Sequence, residues 1–399
     1  MKRKIALIFV FLTFVMLIVF YNQPNNIILA KEKTAEEQLD DSVDEQVDKL
    51  KTDDLENYFN NLSDDEKKLF NNNNLRDIVI KIAKGNYDDG LDEMFNVVFQ
   101  SIIKSFVSFL PSLISIIFIA ILYGILSGLN SGFLNKSTNE IIYFVCYAAI
   151  IILLLNTIIS YVKMTSETVL RLKSLMDAML PLFLTLMTAL GGVTSVGLYQ
   201  PLMVISTGFI IKIIAVFIIP CFIAGIVFTI VGNLSKNVKL EKFTNFFKSV
   251  SEWTLGIVFS LFMMFVTIRG IAGRTIDGIG ITATKFAISS YVPILGGYIS
   301  DGFDLVLASC ILIKNSLGIT GLLIILTIIL LPIIKLIVFT ISLKLASSIC
   351  EPLCDNKIAD LLHGLSKSMT LLLSVLFGVA FMYFIVIMLV MFTCNLGVV

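Results

Sequence analysis

Charge is scarce in this chain. Only 15% of its 399 residues are Asp, Glu, Lys or Arg, against about a quarter in a soluble globular domain. A water-facing surface is therefore excluded for most of its length. Histidine and tryptophan each occur once, and with His363 alone no histidine cluster can hold a metal. Of the six cysteines, Cys146, Cys221, Cys310 and Cys394 fall in apolar runs and read as core residues. Cys350-Glu-Pro-Leu-Cys354 stands near His363, but Pro352 interrupts the helical spacing and no fourth ligand beyond Asp355 or Asp360 is evident. No zinc or other metal site is expected there. No Gly-x-x-x-x-Gly-Lys-Ser/Thr loop occurs, which excludes ATP binding of that kind. Basic residues are dispersed without an aromatic-interleaved patch, so nucleic acid is not an expected partner. The reading is of a chain that is not an enzyme, with neither catalytic residues nor cofactor.

What the chain has is apolar length. It is 57% hydrophobic with a mean hydropathy of +0.91, and runs long enough to cross about 30 Å of hydrocarbon recur through its second part. The fold class is all-α, a polytopic membrane protein. A net charge of zero hides an asymmetry. Lys31 to Glu93 holds 19 acidic and 9 basic residues, whereas Met94 onward holds 11 acidic and 18 basic.

Lys2, Arg3 and Lys4 precede the run Ile5 to Phe20, and Ile28-Leu29-Ala30 offers a small residue for cleavage. Residues 1–30 read either as a signal peptide cut after Ala30 or as an uncleaved anchor. Both readings keep the basic residues cytoplasmic and place the acidic segment, residues 31–100, outside. Charges there alternate with Leu50, Leu55, Phe59, Leu62 and Leu69-Phe70. The pattern fits short amphipathic helices broken at Asn71–Asn74 and Gly85-Asn86, or else a loosely ordered acidic arm.

Eight spans are expected, near 105–128, 141–162, 175–197, 202–232, 254–271, 286–313, 318–348 and 369–395. The first two form a hairpin within 101–165. The others fall into two three-span repeats, 170–272 and 284–395. Pro181 and Pro220 are separated by the same interval as Pro293 and Pro332. Ile226-Val-Phe-Thr-Ile230 recurs as Ile337-Val-Phe-Thr-Ile341. Lys242-Phe-Thr-Asn-Phe-Phe247 with Ser251 then parallels Lys357-Ile-Ala-Asp-Leu-Leu362 with Ser366. Duplication explains the order of these matches; chance likeness between Ile-rich segments is the alternative. An odd number of spans per copy would invert one copy relative to the other. Lys/Arg bias between alternate loops is too even to fix orientation.

Residues unsuited to lipid are the candidate site. Asp301 and Asp304 follow Pro293 and Gly296-Gly297, share a helix face at i, i+3, and lead toward Lys314. A carboxylate at mid-membrane costs about 2.5–3.5 kcal/mol, so these must face a cavity or pore, or else lie at an interfacial bend in water. Lys212 and Lys335 read as snorkelling residues. Leu180-Pro181, Gly191-Gly192, Gly197 before Gln200-Pro201, and Pro293 with Gly296-Gly297 are expected to interrupt helices. The freed backbone would have to face protein or water, although small residues also serve close helix packing.

The residues from about Leu75 to Ile387 resemble the stage III sporulation protein AE family of endospore-forming bacteria. The resemblance is carried by Leu75-Arg-Asp-Ile-Val-Ile-Lys-Ile-Ala-Lys-Gly85, Leu180-Pro-Leu-Phe-Leu-Thr-Leu-Met-Thr-Ala-Leu-Gly-Gly-Val-Thr-Ser195 and Ile276-Asp-Gly. It continues through Thr284-Lys-Phe-Ala287, Val292-Pro-Ile-Leu-Gly-Gly-Tyr-Ile-Ser-Asp301, Lys314-Asn315 and the stretch from Asp360 to Thr370. Residues before Leu75 match less well. The resemblance implies a mother-cell membrane protein around the engulfed forespore. Implied partners are other products of the stage III sporulation A operon, including its ATPase and ring-forming members, and stage II sporulation protein Q or an equivalent. Together they form a channel or feeding-tube complex. The resemblance supplies no catalytic residues.

Three roles remain open at this stage. The chain lines a conduit; or it scaffolds partners through its acidic arm and the amphipathic segments 236–252 and 352–368; or it transports ions by itself through Asp301 and Asp304.

Overall fold

Every regular element among the described residues is helical. The structure, a computed structural model, describes residues 33–50, 52–63, 66–67, 70, 73–85, 91–133, 136–234, 240–291, 296–352 and 356–394. Within these, 33–37, 91–95, 128–133, 136–139, 198, 202, 268–291 and 296–303 are described by backbone alone. The chain divides into two compact units, residues 1–41 and 42–399. The first contains the opening turns of α1 (Lys33–Lys49), and everything that follows concerns the second.

Two short amphipathic helices come next, α2 (Asp53–Asn60) and α3 (Leu75–Ala83). Their apolar faces bury Leu55, Phe59, Leu75, Ile78 and Val79, and Phe59 meets Phe70 edge-to-face with ring centroids 5.2 Å apart. Such short helices are marginal alone; here they pack on long ones, α2 on α5 and α3 on α10.

The long helices are α4 (Leu91–Phe133), α5 (Lys136–Ala189), α9 (Glu241–Tyr291), α10 (Gly296–Cys350) and α11 (Asn356–Phe392). Between α5 and α9 runs a composite helix: α6 (Val193–Val204), a π turn at Ile205–Ile210, α7 (Ile211–Ile213), a second π turn at Ile214–Ile218, and α8 (Ile219–Leu234). The first π turn follows Pro201, and the second precedes Pro220. Ser206 and Thr207 both donate to the Met203 carbonyl, at 2.8 and 3.0 Å, where α-helical pairing is lost.

Six helices among the described residues are long and apolar enough to cross a membrane, where the sequence marks eight spans. Two expected interruptions are absent. The polar stretch after residue 162 stays helical in α5, because its charges pair one turn apart (Lys163 with Glu167, Lys173 with Asp177) and bond to the N-terminal helices. Lys314-Asn315-Ser316 stays helical in α10, because Lys314 bonds to α11 and Ser316 returns its hydroxyl to the Leu312 carbonyl. Pro181 and Pro201 also lie inside helices and do not end them.

Gly191-Gly192 does break the chain. Gly191 has φ +72°, its N–H bonds to the Thr188 carbonyl at 2.9 Å, and the Gly192 N–H bonds to that of Met187 at 2.8 Å. This pair of bonds caps α5 with a left-handed residue that glycine adopts without a Cβ clash. The chain reverses there. Tyr143 and Tyr147 of α5 then donate to the carbonyls of Asn233 and Ile230 in α8, so the two arms are antiparallel. Hairpins α8–α9 and α10–α11 follow, and in each the returning helix opens with the polar segment.

Helix α10 is the core element, packed against α4, α5 and α11. Glycines let it approach its neighbours closely. A Cβ on Gly318 would lie 2.3 Å from Cγ of Met391, and one on Gly321 would lie 2.1 Å from Cε of Met179. Small residues at such contacts are how membrane helices gain van der Waals energy without a hydrophobic drive.

Candidate functional site

Of the residues singled out in the sequence, Lys314 is the most completely enclosed. Its side chain is fully buried, and its ammonium donates to the carbonyls of Met391, at 3.1 Å, and Thr393. Those carbonyls end α11, where a cation complements the helix dipole. The Thr393 hydroxyl bonds Tyr199 of α6 at 2.8 Å and donates to the Leu389 carbonyl at 2.6 Å. Lys314 thus anchors three elements at one end of the bundle. Asp304 is half-buried earlier on α10, roughly 15 Å from Lys314 along the axis. Asp301 belongs to the same helix, but its side chain lies outside the described residues, as does Pro293. Gly296 and Gly297 open α10, Gly191 and Gly192 form the tip of the α5–α6 reversal, and Pro181 is exposed on α5.

The N-terminal helices dock on the same half of the bundle. Tyr58 donates to the Arg171 carbonyl at 2.9 Å, Glu66 pairs with the Arg171 guanidinium at 2.7 Å, and Ser42 donates to Ser309 at 3.1 Å. Burial pushes the Tyr58 phenol up to about 12, so at neutral pH it remains a donor.

Contacts between helices fix their relative levels. Phe339 of α10 meets both Phe109 of α4 and Tyr161 of α5, at 4.9 and 4.6 Å between centroids. Tyr123 meets Tyr143 at 5.7 Å, so α4 and α5 are antiparallel. Toward the α5–α6 reversal from the level of Phe339 stand Lys163, Lys335 and Lys104, each exposed and within about 8 Å of it. Lys212 is about as far from Ile230 as Lys163 is from its partner Tyr147, so it shares their level. Four lysines from four elements therefore ring the bundle at one height.

The outward face of α5 changes character at that ring. On one side it is large and apolar, with Phe144 and Ile152, as are Phe118 and Ile125 on α4, Val216 and Val227 on the composite helix and Ile341 on α10. On the other side α5 shows Ser174, Asp177, Pro181, Thr185 and Thr188, and α6 shows Thr194, Gly197 and Gln200, while Leu170, Val193, Val204, Phe99 on α4 and Val306 on α10 stay apolar and exposed. From Lys163 down to exposed Glu140 is about 35 Å along α5, a close match to hydrocarbon plus its interface. Helix α5 continues past Lys163 on the side where α2 docks.

The two polar segments meet near the level of Phe339. Lys248 of α9 is 3.9 Å from Glu252, one turn on. A small cleft beside it is lined by Gly225, Thr244, Lys248, Ser251 and Ser368. Asp360, His363 and Lys367 are exposed along one face of α11. In the sequence this segment serves partner recruitment in one of the three open roles, and its level against α10 is not legible there. Its i, i+3, i+7 polar spacing was the available signal. Among the described residues no group of three or more His, Cys, Asp or Glu is arranged to hold a metal ion; Cys350 is buried whereas His363 is exposed.

A family model described as stage III sporulation protein AE matches residues 73–394. The chain is similar to "Stage III sporulation protein AE" of Bacillus subtilis (strain 168), at 26% identity over 267 residues. That alignment covers 66% of this chain and 66% of the relative, so the chain spans about two thirds of the relative's length. No solved structure matches.

Proposed function

The chain belongs to the stage III sporulation protein AE family, and from that premise we propose that it is the non-enzymatic membrane component of a mother cell–forespore channel complex. It has a role in sporulation, and its helices fit a multi-pass membrane protein. In our reading it sits in the mother-cell membrane, with a leading signal segment and α2 and α3 on the forespore-facing side. There it meets other products of its operon and a forespore-side protein. The six helices are the framework for two duplicated units in this reading, 170–272 and 284–395.

One observation carries the proposal: past Lys163, α5 continues with a polar outward face of Ser174, Asp177, Thr185 and Thr188, on the side where α2 docks. A free-standing transporter has no need of such an extension, whereas a component that must reach partners across a narrow space does. The interior of one chain is filled at Gly318–Met391 and Gly321–Met179, which favours a conduit built between chains over one through a single chain.

The test is made in sporulating cells. Replacing the outward polar face with Asp177→Leu and Thr185→Leu should arrest spores after engulfment and abolish co-purification of the operon partners, while the protein still accumulates. Normal spore yield with partners retained would refute the assembly role. The paired change Asp301→Asn with Asp304→Asn separates transport from assembly, because arrest with partners retained is the result a transport role requires.

A further inference from the structure

Lys212 is the only charged side chain between Val193 and Leu234. It stands on α7, a single turn held between two π turns. A π turn pairs residue i with i+5, so each takes up one residue more than an α turn. The helix is pinned on both sides of the pair. Tyr199 of α6 bonds Thr393 at 2.8 Å, and the Asn233 carbonyl of α8 accepts the Tyr143 hydroxyl at 2.6 Å. Two surplus residues are therefore held between fixed ends. Pro220 has no N–H to return to the Val216 carbonyl, which stops the second π turn in place. The first has no such stop. Rotatable hydroxyls of Ser206 and Thr207 serve the Met203 carbonyl there, and Gly208 has nothing within 4 Å of its Cβ position. The flanking residues Val204, Ile210 and Ile211 keep right-handed helical dihedrals, so exchanging π for α pairing asks little of the backbone.

Moving the first π turn past α7 rotates Ile211–Ile213 by about 100°, one residue's share of a helical turn. Each residue then takes the place of the one after it. Ile213 enters the fully buried place of Ile214, Lys212 the half-buried place of Ile213, and Ile211 the outward place of Lys212. An isoleucine replaces an isoleucine in the core, the kind of exchange that packing tolerates best. The long stem of Lys212 keeps its ammonium within reach of polar surroundings in both places. The run Ile210-Ile211-Lys212-Ile213-Ile214 is thus nearly indifferent to its register, apart from where it puts the charge. We propose that α7 is a rotating segment with two registers, and that movement of the first π turn across it carries the Lys212 ammonium from one face of the composite helix to another. Helices α6 and α8 stay still meanwhile, so the device moves a charge without moving the bundle.

Fluorine NMR of the purified full-length chain in phosphatidylcholine–phosphatidylglycerol nanodiscs tests this. A trifluoromethyl thiol probe is placed on Ile211→Cys, with the probed parent chain as background. Ile211 is 3% exposed, so its outward register should appear as a second resonance with about 1–10% of the intensity. Met203→Cys in α6 and Ile226→Cys in α8 should each give one resonance. Two variants should abolish the second resonance at Ile211→Cys. Deleting Phe209 removes the residue that the first π turn takes up. Ile213→Lys drives an ammonium into the place of Ile214 in the second register alone, without shortening the chain. A single resonance at Ile211→Cys would overturn the proposal. So would a second resonance that survives in either variant, or that appears equally at the two controls. If Ile211→Cys does not accumulate, the same pair of resonances at Lys212→Cys decides.

Discussion

The Glu66 carboxylate lies 2.7 Å from the Arg171 guanidinium, joining the loop after α2 to the middle of α5 across 105 residues. Glu66 is nearly buried, with 4% of its side chain exposed, and it also accepts the Ser63 N–H at 2.8 Å. Burial pushes its carboxyl up, but the bonds from Arg171 and Ser63 outweigh that and hold it below the usual carboxylate value. A depressed folded value means that the pair stabilises docking above the unfolded carboxyl value, about 4.3, and loses that contribution as pH falls through the lower folded value. Protection factors of the α2 amides, taken relative to the intrinsic exchange rate at each pH, should therefore fall on acidification. Glu66→Gln should remove this pH step and weaken docking by about 1–2 kcal/mol, a figure reduced from the fully buried case because Arg171 is 40% exposed. An unchanged pH profile in Glu66→Gln would show that another group controls docking.

Lys314→Met keeps the length of the side chain and removes the ammonium. The carbonyls of Met391 and Thr393 then lose their donor at a buried helix end, at a cost of about 2–4 kcal/mol. The thermal midpoint in detergent should fall, and proteolysis near the C-terminal end of α11 should quicken. Wild-type protection of that end would contradict the anchoring role.

Glycine substitutions should separate by the rigidity of what each meets. A Cβ on Gly378 would sit 2.1 Å from the Phe259 ring edge, which cannot bend away, whereas Gly321 meets the flexible end of Met179. Gly378→Ala should cost about 1–3 kcal/mol and Gly321→Ala less. Gly197→Ala, with nothing within 4 Å, should be neutral or stabilising by about 0.5–1 kcal/mol. Thermal midpoints of the three variants give the order directly.

Gly191→Ala forces a Cβ into the left-handed conformation at φ +72°. A loss of about 1 kcal/mol is expected, with Gly191→Asn losing less because asparagine tolerates that region. Gly192→Ala should be milder, since Gly192 has no positive φ. Equal losses at the two positions would argue against the capping geometry.

Much of the architecture was legible in the chain because hydropathy is a local property. The runs behind α4, α8 and α11 announce helices of membrane length without reference to anything else. What set the expected count of eight spans was also local. Lys314-Asn315-Ser316 and the charged stretch after residue 162 look like loop when read alone. They stay helical because Lys314 finds carbonyls 77 and 79 residues away, and because Arg171 finds Glu66 and Tyr58 on another element. Pro181 reads as a break, but a proline removes only one backbone bond and a packed helix absorbs that loss.

The sequence by itself determined the all-helical class, the apolar runs and the scarcity of charge and histidine, since each follows from residue type and near-neighbour spacing. Only the tertiary structure decided which residues share a depth. The ring of Lys104, Lys163, Lys212 and Lys335 depends on how far each helix slides along its neighbour. That register is set by contacts such as Phe339 with Phe109 and Tyr161, and by glycines that admit Met179 and Met391. The reason is physical: spacing along one helix says which face a residue occupies, while its height in the membrane is fixed by side chains it meets from far along the chain.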